Sequence, residues 1–391
     1  MTIQEKKIMN FGVGQSKRFF VLIFFLLFIT MNLQNAYLFS IGSVSLKFYH
    51  VISLVFIPFI FKYLKISKMY LATILLFYIF IFNSLLASIV YDNLNSLIIN
   101  YLFSILAFFI GIIAYIQLND RVIEVMKTVS IAMFILVIGK MIIYKNEIVY
   151  FFNNPYGHPV IPVFYGGGVN LEATWISLST LFFWNSKYFY VALFFSSIVS
   201  GVYSSRIGVI IIFVILVFRL LSKTTKRIEK TIILSLFFII PTVIYFVNPF
   251  TLERMTKIGD DAGSQGRLAM WESAYPAILE SPLVGHGAGN AVNNLNQVDN
   301  AGNVHNYPLQ VLLDFGLIAL LLYLAIIVHV AIRTVKGRFE DPLGIYILTF
   351  FVASLVQFRG AEPIFWLIFG LYECKYYMGK REFKAKEVQF K

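Results

Sequence analysis

The chain has one cysteine, Cys374, so it can form neither an internal disulfide nor a cysteine-built metal site. Charge is scarce as well: Asp, Glu, Lys and Arg make up 13% of the 391 residues, against roughly 25% in soluble domains. Among so few polar groups no metal set emerges, because the adjacent Asp260 and Asp261 have no nearby His or Glu to complete one. No metal and no other cofactor is expected. A Gly-x-x-x-x-Gly-Lys phosphate loop is missing, which argues against nucleotide hydrolysis. An internal repeat of the kind that pairs the halves of many transporters is also missing.

In place of these the chain has apolar residues. They make up 59% of it, with 41 Phe, and the mean hydropathy is +0.78. Apolar runs cover about 19–40, 44–61, 69–90, 97–116, 122–144, 168–184, 188–204, 207–221, 231–249, 307–332, 343–358 and 361–378. Runs of roughly 18 residues or more cross a ~30 Å hydrocarbon layer as helices, which satisfy their own backbone there. The expected fold is therefore all-α, a polytopic integral membrane protein of about twelve spans with a large outer loop before the tenth. The first run is too long for a signal-peptide core and lacks a small-residue cleavage site, so it reads as an uncleaved span. In segments, 1–144 holds about five membrane helices and 145–168 a first outer loop. Residues 169–249 hold spans six to nine, 250–304 a large outer catalytic loop, and 305–391 about three more spans and a tail.

A net charge of +12 would suggest nucleic acid in a soluble protein; here the basic residues fall in short loops between spans, and nucleic acid is excluded as a partner. With both termini cytoplasmic, most Lys and Arg fall inside. Lys145, Arg206, Arg254, Lys257, Arg267 and Arg359 fall outside, and Lys47 and Lys140 lie within spans near the outer end.

The long polar passage 254–316 organises the candidate site. Arg206, between two apolar runs, is either a snorkelling side chain or a guanidinium fixed to meet a phosphate. Arg267 opens a segment in which Leu268, Trp271, Tyr275, Ile278 and Leu279 recur at helical spacing, suggesting an amphipathic helix on the membrane face. His305 and Asn306 stand where the loop meets an apolar helix. Asn306 suits an N-cap, Pro308 the first turn, and the helix N-terminus favours an anion. An imidazole, with a pKa near ~6.5, can take a proton from a hydroxyl at neutral pH. Glu172 and Asp314 are carboxylates at membrane depth, either touching substrate or orienting His305 or an arginine. His50, His158, His286 and His329 rank low.

Three patches resemble the bacterial O-antigen polymerase (Wzy-type) and O-antigen ligase superfamily: Ser200-Gly201-Val202-Tyr203-Ser204-Ser205-Arg206-Ile207-Gly208; Gly266-Arg267 with Trp271 and Pro282-Leu283-Val284-Gly285-His286-Gly287; and His305-Asn306 with Leu309-Gln310, Asp314 and Gly316. Asp314 stands where many members have glutamate, and the Ser-Arg turn is looser than usual. The resemblance implies a glycosyltransferase in the bacterial inner membrane, polymerising O-antigen, capsule or exopolysaccharide. Undecaprenyl-diphosphate-linked oligosaccharide would be both donor and acceptor, with membrane lipid, a chain-length regulator and a flippase as partners. Carried over by motif, Arg206 and Arg267 hold the diphosphate and His305 lies near the acceptor. On position and chemistry His305 is the best-placed base, and Asn306, Glu172, Asp314, Trp271 and Arg359 are read as substrate contacts. Two other readings use a similar chain. A ligase would pass finished polymer to lipid A core, and a lipid-linked glycan flippase would show repeats and charges in the middle of its spans. A metal-dependent transferase of the lipid-phosphate-sugar type would place an acid in the first outer loop, where Ser40-Ile41-Gly42-Ser43 has none.

Overall fold

A computed structural model describes residues 3–41, 44–63, 70–90, 97–152, 161–166, 168–256, 262–290, 304–357 and 362–389. Helix α1 (Ile3–Asn32) leads into the antiparallel strands β1 (Tyr37–Ile41) and β2 (Val44–Lys47). Then come α2 (Phe48–Leu54), α3 (Ile57–Tyr63), α4 (Leu71–Val90), α5 (Leu97–Leu118), α6 (Arg121–Ile143) and α7 (Lys145–Phe152). Helix α8 (Val169–Ser179), continued by a 3-10 turn at Thr180–Phe183, precedes α9 (Phe189–Val202), α10 (Arg206–Leu221) and α11 (Arg227–Val247). The chain closes with α12 (Pro249–Thr256), α13 (Ala262–Glu280), α14 (Tyr307–Lys336), α15 (Pro342–Ser354) and α16 (Pro363–Gln389).

Every apolar run found in the sequence carries a helix. Among the described residues, α4, α5, α6, α11 and α14 are each long and apolar enough to cross a membrane, and shorter apolar helices accompany them. Their outer faces remain apolar, with Ile89, Val90, Ile143, Phe238 and Phe246 largely exposed, as helices in contact with lipid tails require. The protein is a helical, polytopic membrane protein. One expectation is corrected: the first span ends at Asn32 rather than near residue 40, and a hairpin follows. Asn35 ties this stretch across the fold, its side chain donating to the Val163 carbonyl at 2.7 Å and its backbone N–H to that of Phe164 at 3.1 Å.

The bundle is sewn by small residues and aromatic rings. Along α5 and α16, Gly111 lies against the Leu367 carbonyl and Gly370 against that of Phe108, so closely that a Cβ at either glycine would collide. Phe77 meets Trp366 at 4.8 Å between ring centroids, and Phe350 meets Phe365 at 4.5 Å. One end of the bundle carries the ion pairs Arg219–Glu229 (2.7 Å), Arg333–Glu373 (2.6 Å) and Lys375–Asp341 (3.1 Å).

Helix α14, which reads as one continuous span, is broken. Gly316 has φ 78° and ψ −178°, a region that essentially only glycine enters. Tyr307 and Tyr323 would lie about 24 Å apart along a straight helix at 1.5 Å per residue. Their rings are 5.1 Å apart, so residues 307–315 fold back upon the rest. The backbone groups freed by the break find partners in the turn after α13. Leu317 N–H donates to the Pro282 carbonyl (2.8 Å), His286 N–H to that of Leu313 (3.1 Å) and Gly287 N–H to that of Asp314 (2.7 Å). From α4, the Asn83 amide donates to the Val284 carbonyl at 2.6 Å. A Cβ on Gly316 would strike the Leu283 backbone, and one on Gly285 that of Asp314.

Gly316→Ala should therefore lower the thermal stability of the detergent-solubilised protein by at least the ~1–3 kcal/mol that such a backbone conformation costs a side chain. Gly139→Ala in α6, where a Cβ meets nothing within 4 Å, should be neutral or stabilising by roughly 0.5–1 kcal/mol. Equal melting behaviour of the two variants would show that the break is not fixed by Gly316.

Candidate active site

The N-terminus of α14 is built as the sequence suggests. The Asn306 side chain accepts from Leu309 N–H at 3.0 Å, and Pro308 occupies the first turn, where its missing N–H costs nothing. Just before the cap, His305 has φ 51°, which a side chain adopts only when its neighbours hold it. They do so through Val304, which is fully buried. Its N–H donates to Gln310 Oε1 at 3.2 Å, and its carbonyl accepts from Trp271 Nε1 at 2.8 Å. Val304 and Leu313 pack on Ala274 and Ala277, with Trp271, Ile278 and Leu309 around them. Helix α13 is thereby fixed to the base of His305, and half-buried Arg267 lies one turn before Trp271 on that same helix.

The apolar pattern of α13 proves to be two faces. Trp271 and Ile278 turn toward α14 with the alanines, whereas Leu268, Tyr275 and Leu279 are exposed, in line with exposed Leu283 and Val284. This outer stripe continues the lipid-facing surface of α4. A cleft of about 390 Å³ separates α4 from the turn, with Phe82, Leu86, Val90 and Val284 on its walls and Glu280 and His286 beside them. His286, which ranks low in the sequence, is firmly placed in the structure. Buried, its Nε2 bonds the Ala277 carbonyl at 2.7 Å and closes the end of α13.

Arg206 is the first residue of α10 and is half-buried. The turn before it is wholly internal: Tyr203, Ser204 and Ser205 have at most 1% of their surface exposed. Ser205 N–H donates to the Ser200 carbonyl (2.8 Å), the Ser205 hydroxyl accepts from Gly208 N–H (3.3 Å), and the Thr251 hydroxyl donates to the Gly201 carbonyl (3.1 Å). The side chain is thus carried on a rigid turn at a helix N-terminus, where the partial positive charge adds to its own.

Glu172 is placed differently from a substrate contact. It has no exposed surface, pairs with Lys140, and accepts from Tyr203 Oη (3.0 Å) and Phe164 N–H (2.6 Å). Lys140, set aside in the sequence as one more basic residue within a span, is its counter-ion. Asp314 is also sealed off, with Oδ1 accepting from Gly289 N–H at 3.2 Å. It lies in the last turn of the folded-back segment rather than inside a straight span. Trp271 uses its indole N–H on Val304 and Asn306 its side-chain oxygen on the cap, so each has a structural task beside any contact with substrate. Arg359, Asp260, Asp261 and His158 lie outside the described residues. Among the described residues no three His, Cys, Asp or Glu come together as a metal set.

One charged group escaped the sequence reading: buried Glu362, just before α16, interacts electrostatically with Lys47. Gln310, noted in the sequence only as part of a patch, grips Val304. An acid directly after the Arg359 loop, at the edge of an apolar run, was the available signal for Glu362.

Glu172→Gln strands the Lys140 ammonium in the interior, which should cost roughly 3–5 kcal/mol and show as an early melt. Lys140→Met with Glu172→Gln should recover most of that loss; no recovery would show that the pair is not coupled.

No curated protein matches the chain. Residues 191–324, which run from α9 into α14 and include Arg206, Arg267, His305 and Asp314, match the family model described as O-antigen ligase, so this part of the chain is similar to that family.

Proposed function

We propose that the protein is a glycan polymerase acting on undecaprenyl-diphosphate-linked oligosaccharides at the outer face of the bacterial cytoplasmic membrane, with both termini in the cytoplasm. A hydroxyl of the lipid-linked acceptor attacks the anomeric carbon of the donor glycan. The bond from that carbon to the diphosphate oxygen breaks, undecaprenyl diphosphate departs, and the anomeric centre inverts. Arg206 and Arg267 take up the charge that builds on the leaving diphosphate, helped by the α10 and α14 N-termini. His305 accepts the hydroxyl proton. The observation that carries this reading is the 2.8 Å bond from Trp271 to Val304, which ties the helix that carries Arg267 to the residue beside His305. The exposed stripe of α13 and the cleft against α4 give the carrier tail an apolar approach from the bilayer.

The ligase reading stands second because the matching family model is described by that activity. It keeps the same donor chemistry and differs in the acceptor. Deleting the gene and resolving surface glycan on a gel separates the two. Single repeat units on the surface are the expected result, whereas full-length polymer left on the carrier lipid would mean ligase. In the deleted strain, His305→Ala should fail to restore polymer, with a loss of roughly 10²–10⁴ in rate for a general base. Arg206→Lys and Arg267→Lys should each be nearly as defective, since lysine lacks the planar two-point grip on phosphate oxygens. Normal polymer from all three variants would reject the site.

Orientation is tested separately. In a Cys374→Ser background, a cysteine at exposed Glu280 should react with an impermeant thiol reagent in intact cells, and one at exposed Thr224 should not. Labelling at position 224 would invert the topology and remove the site from the outer face.

A further inference from the structure

We propose that Tyr203 is a positioning residue for Arg206, which acts through its hydroxyl on Glu172 and never touches substrate; this rests on Arg206 holding the diphosphate as proposed above. Arg206 leaves a turn that has no slack. Helix α9 ends with Ser204 N–H donating to the Gly201 carbonyl (3.0 Å) and Ser205 N–H to that of Ser200 (2.8 Å), the paired bonds of a Schellman stop. Such a stop needs a left-handed residue, usually glycine. Here that residue is Ser204, with φ 49°, a conformation a side chain keeps only when its neighbours impose it. Ser205 already caps α10 by accepting from Gly208 N–H (3.3 Å), so Arg206 follows the end of α9 without a spacer. Whatever turns this corner turns the root of the guanidinium with it.

The first turn of α8 grips the corner on both sides of Ser204. Tyr203 Oη donates to Glu172 Oε1 at 3.0 Å, and the Ser205 hydroxyl donates to the Asn170 carbonyl at 3.4 Å. From α12, the Thr251 hydroxyl reaches Ser204 Oγ at 3.4 Å. The Tyr203 bond is the shortest of these three and the one that ends on an ion pair, where hydrogen bonds are strongest. Glu172 is in turn fixed by Lys140 on α6 and by Phe164 N–H at 2.6 Å. One hydroxyl therefore connects the buried pair to the corner from which Arg206 emerges.

Tyr203→Phe removes that hydroxyl and keeps the ring beside Lys140, whose ammonium lies 5.3 Å from its centroid. In purified protein with lipid-linked repeat units it should lower kcat roughly ten-fold, the scale of a small misplacement of a group that meets the reacting atoms, with KM within a few-fold of wild type. Tyr190→Phe is the matched control: at the other end of α9, Tyr190 Oη donates to Glu229, itself paired with Arg219, and its loss should leave kcat unchanged. In an Arg206→Lys background, where the two-point grip is already lost, Tyr203→Phe should cost no more than a further roughly two-fold. A readout without turnover is amide hydrogen exchange over residues 203–206, which should accelerate in Tyr203→Phe and not in Tyr190→Phe. A full ten-fold loss in both backgrounds would mean that the hydroxyl works independently of Arg206, and would overturn the proposal. So would wild-type kcat or unchanged exchange in Tyr203→Phe. If Arg206→Lys alone turns over like wild type, the diphosphate reading falls, and the exchange measurement alone decides whether the hydroxyl sets the turn.

Discussion

A helix that ends inside a membrane protein leaves carbonyls and N–H groups with no water to bond, and the molecule is arranged around how α14 meets that demand. Residues 282–290 supply the partners, and they can do so because Gly285 and Gly316 let two backbones touch. Asn83 then staples the assembly to α4, and Ser84 accepts from Ala288 N–H at 3.2 Å. The turn, the break, the site and the lipid-facing surface are therefore one unit.

The Lys140–Glu172 pair answers the same demand by charge. Two ions inside a bundle are expensive, and such a pair holds only when their remaining donors and acceptors are satisfied. Here Tyr203 and Phe164 provide for Glu172, while the rings of Phe164 and Tyr203 lie 4.9 and 5.3 Å from the Lys140 ammonium. The network thereby joins α6, α8, α9 and the segment around Phe164. Because Tyr203 is three residues from Arg206, the pair also fixes where that guanidinium emerges.

Much of this was legible in the sequence. Apolar runs mark the helices because lipid burial is what hydropathy measures, and Asn306 with Pro308 announces a helix start. The break at Gly316 was hidden for the same reason, since an apolar run looks alike whether it continues or doubles back. Lys140 and Glu172 are 32 residues apart, and no local spacing relates them. Trp271 was noticed as an aromatic on a helix, but its target is a backbone carbonyl, which leaves no trace in side-chain pattern. The hairpin at residues 37–47 lay in a stretch whose composition merges with the span before it.

The order of these parts along the chain bears on biogenesis. Past the break, Leu317 to Lys336 is ~30 Å long at 1.5 Å per residue, enough to cross the hydrocarbon layer unaided. The segment 307–315 need not be threaded through the bilayer. Everything that caps it, from Asn83 to Trp271 and the Pro282–Gly289 turn, is synthesised before it, so the receptor is waiting when α14 leaves the ribosome. The fold-back can then form as the chain is inserted, without a later search for partners.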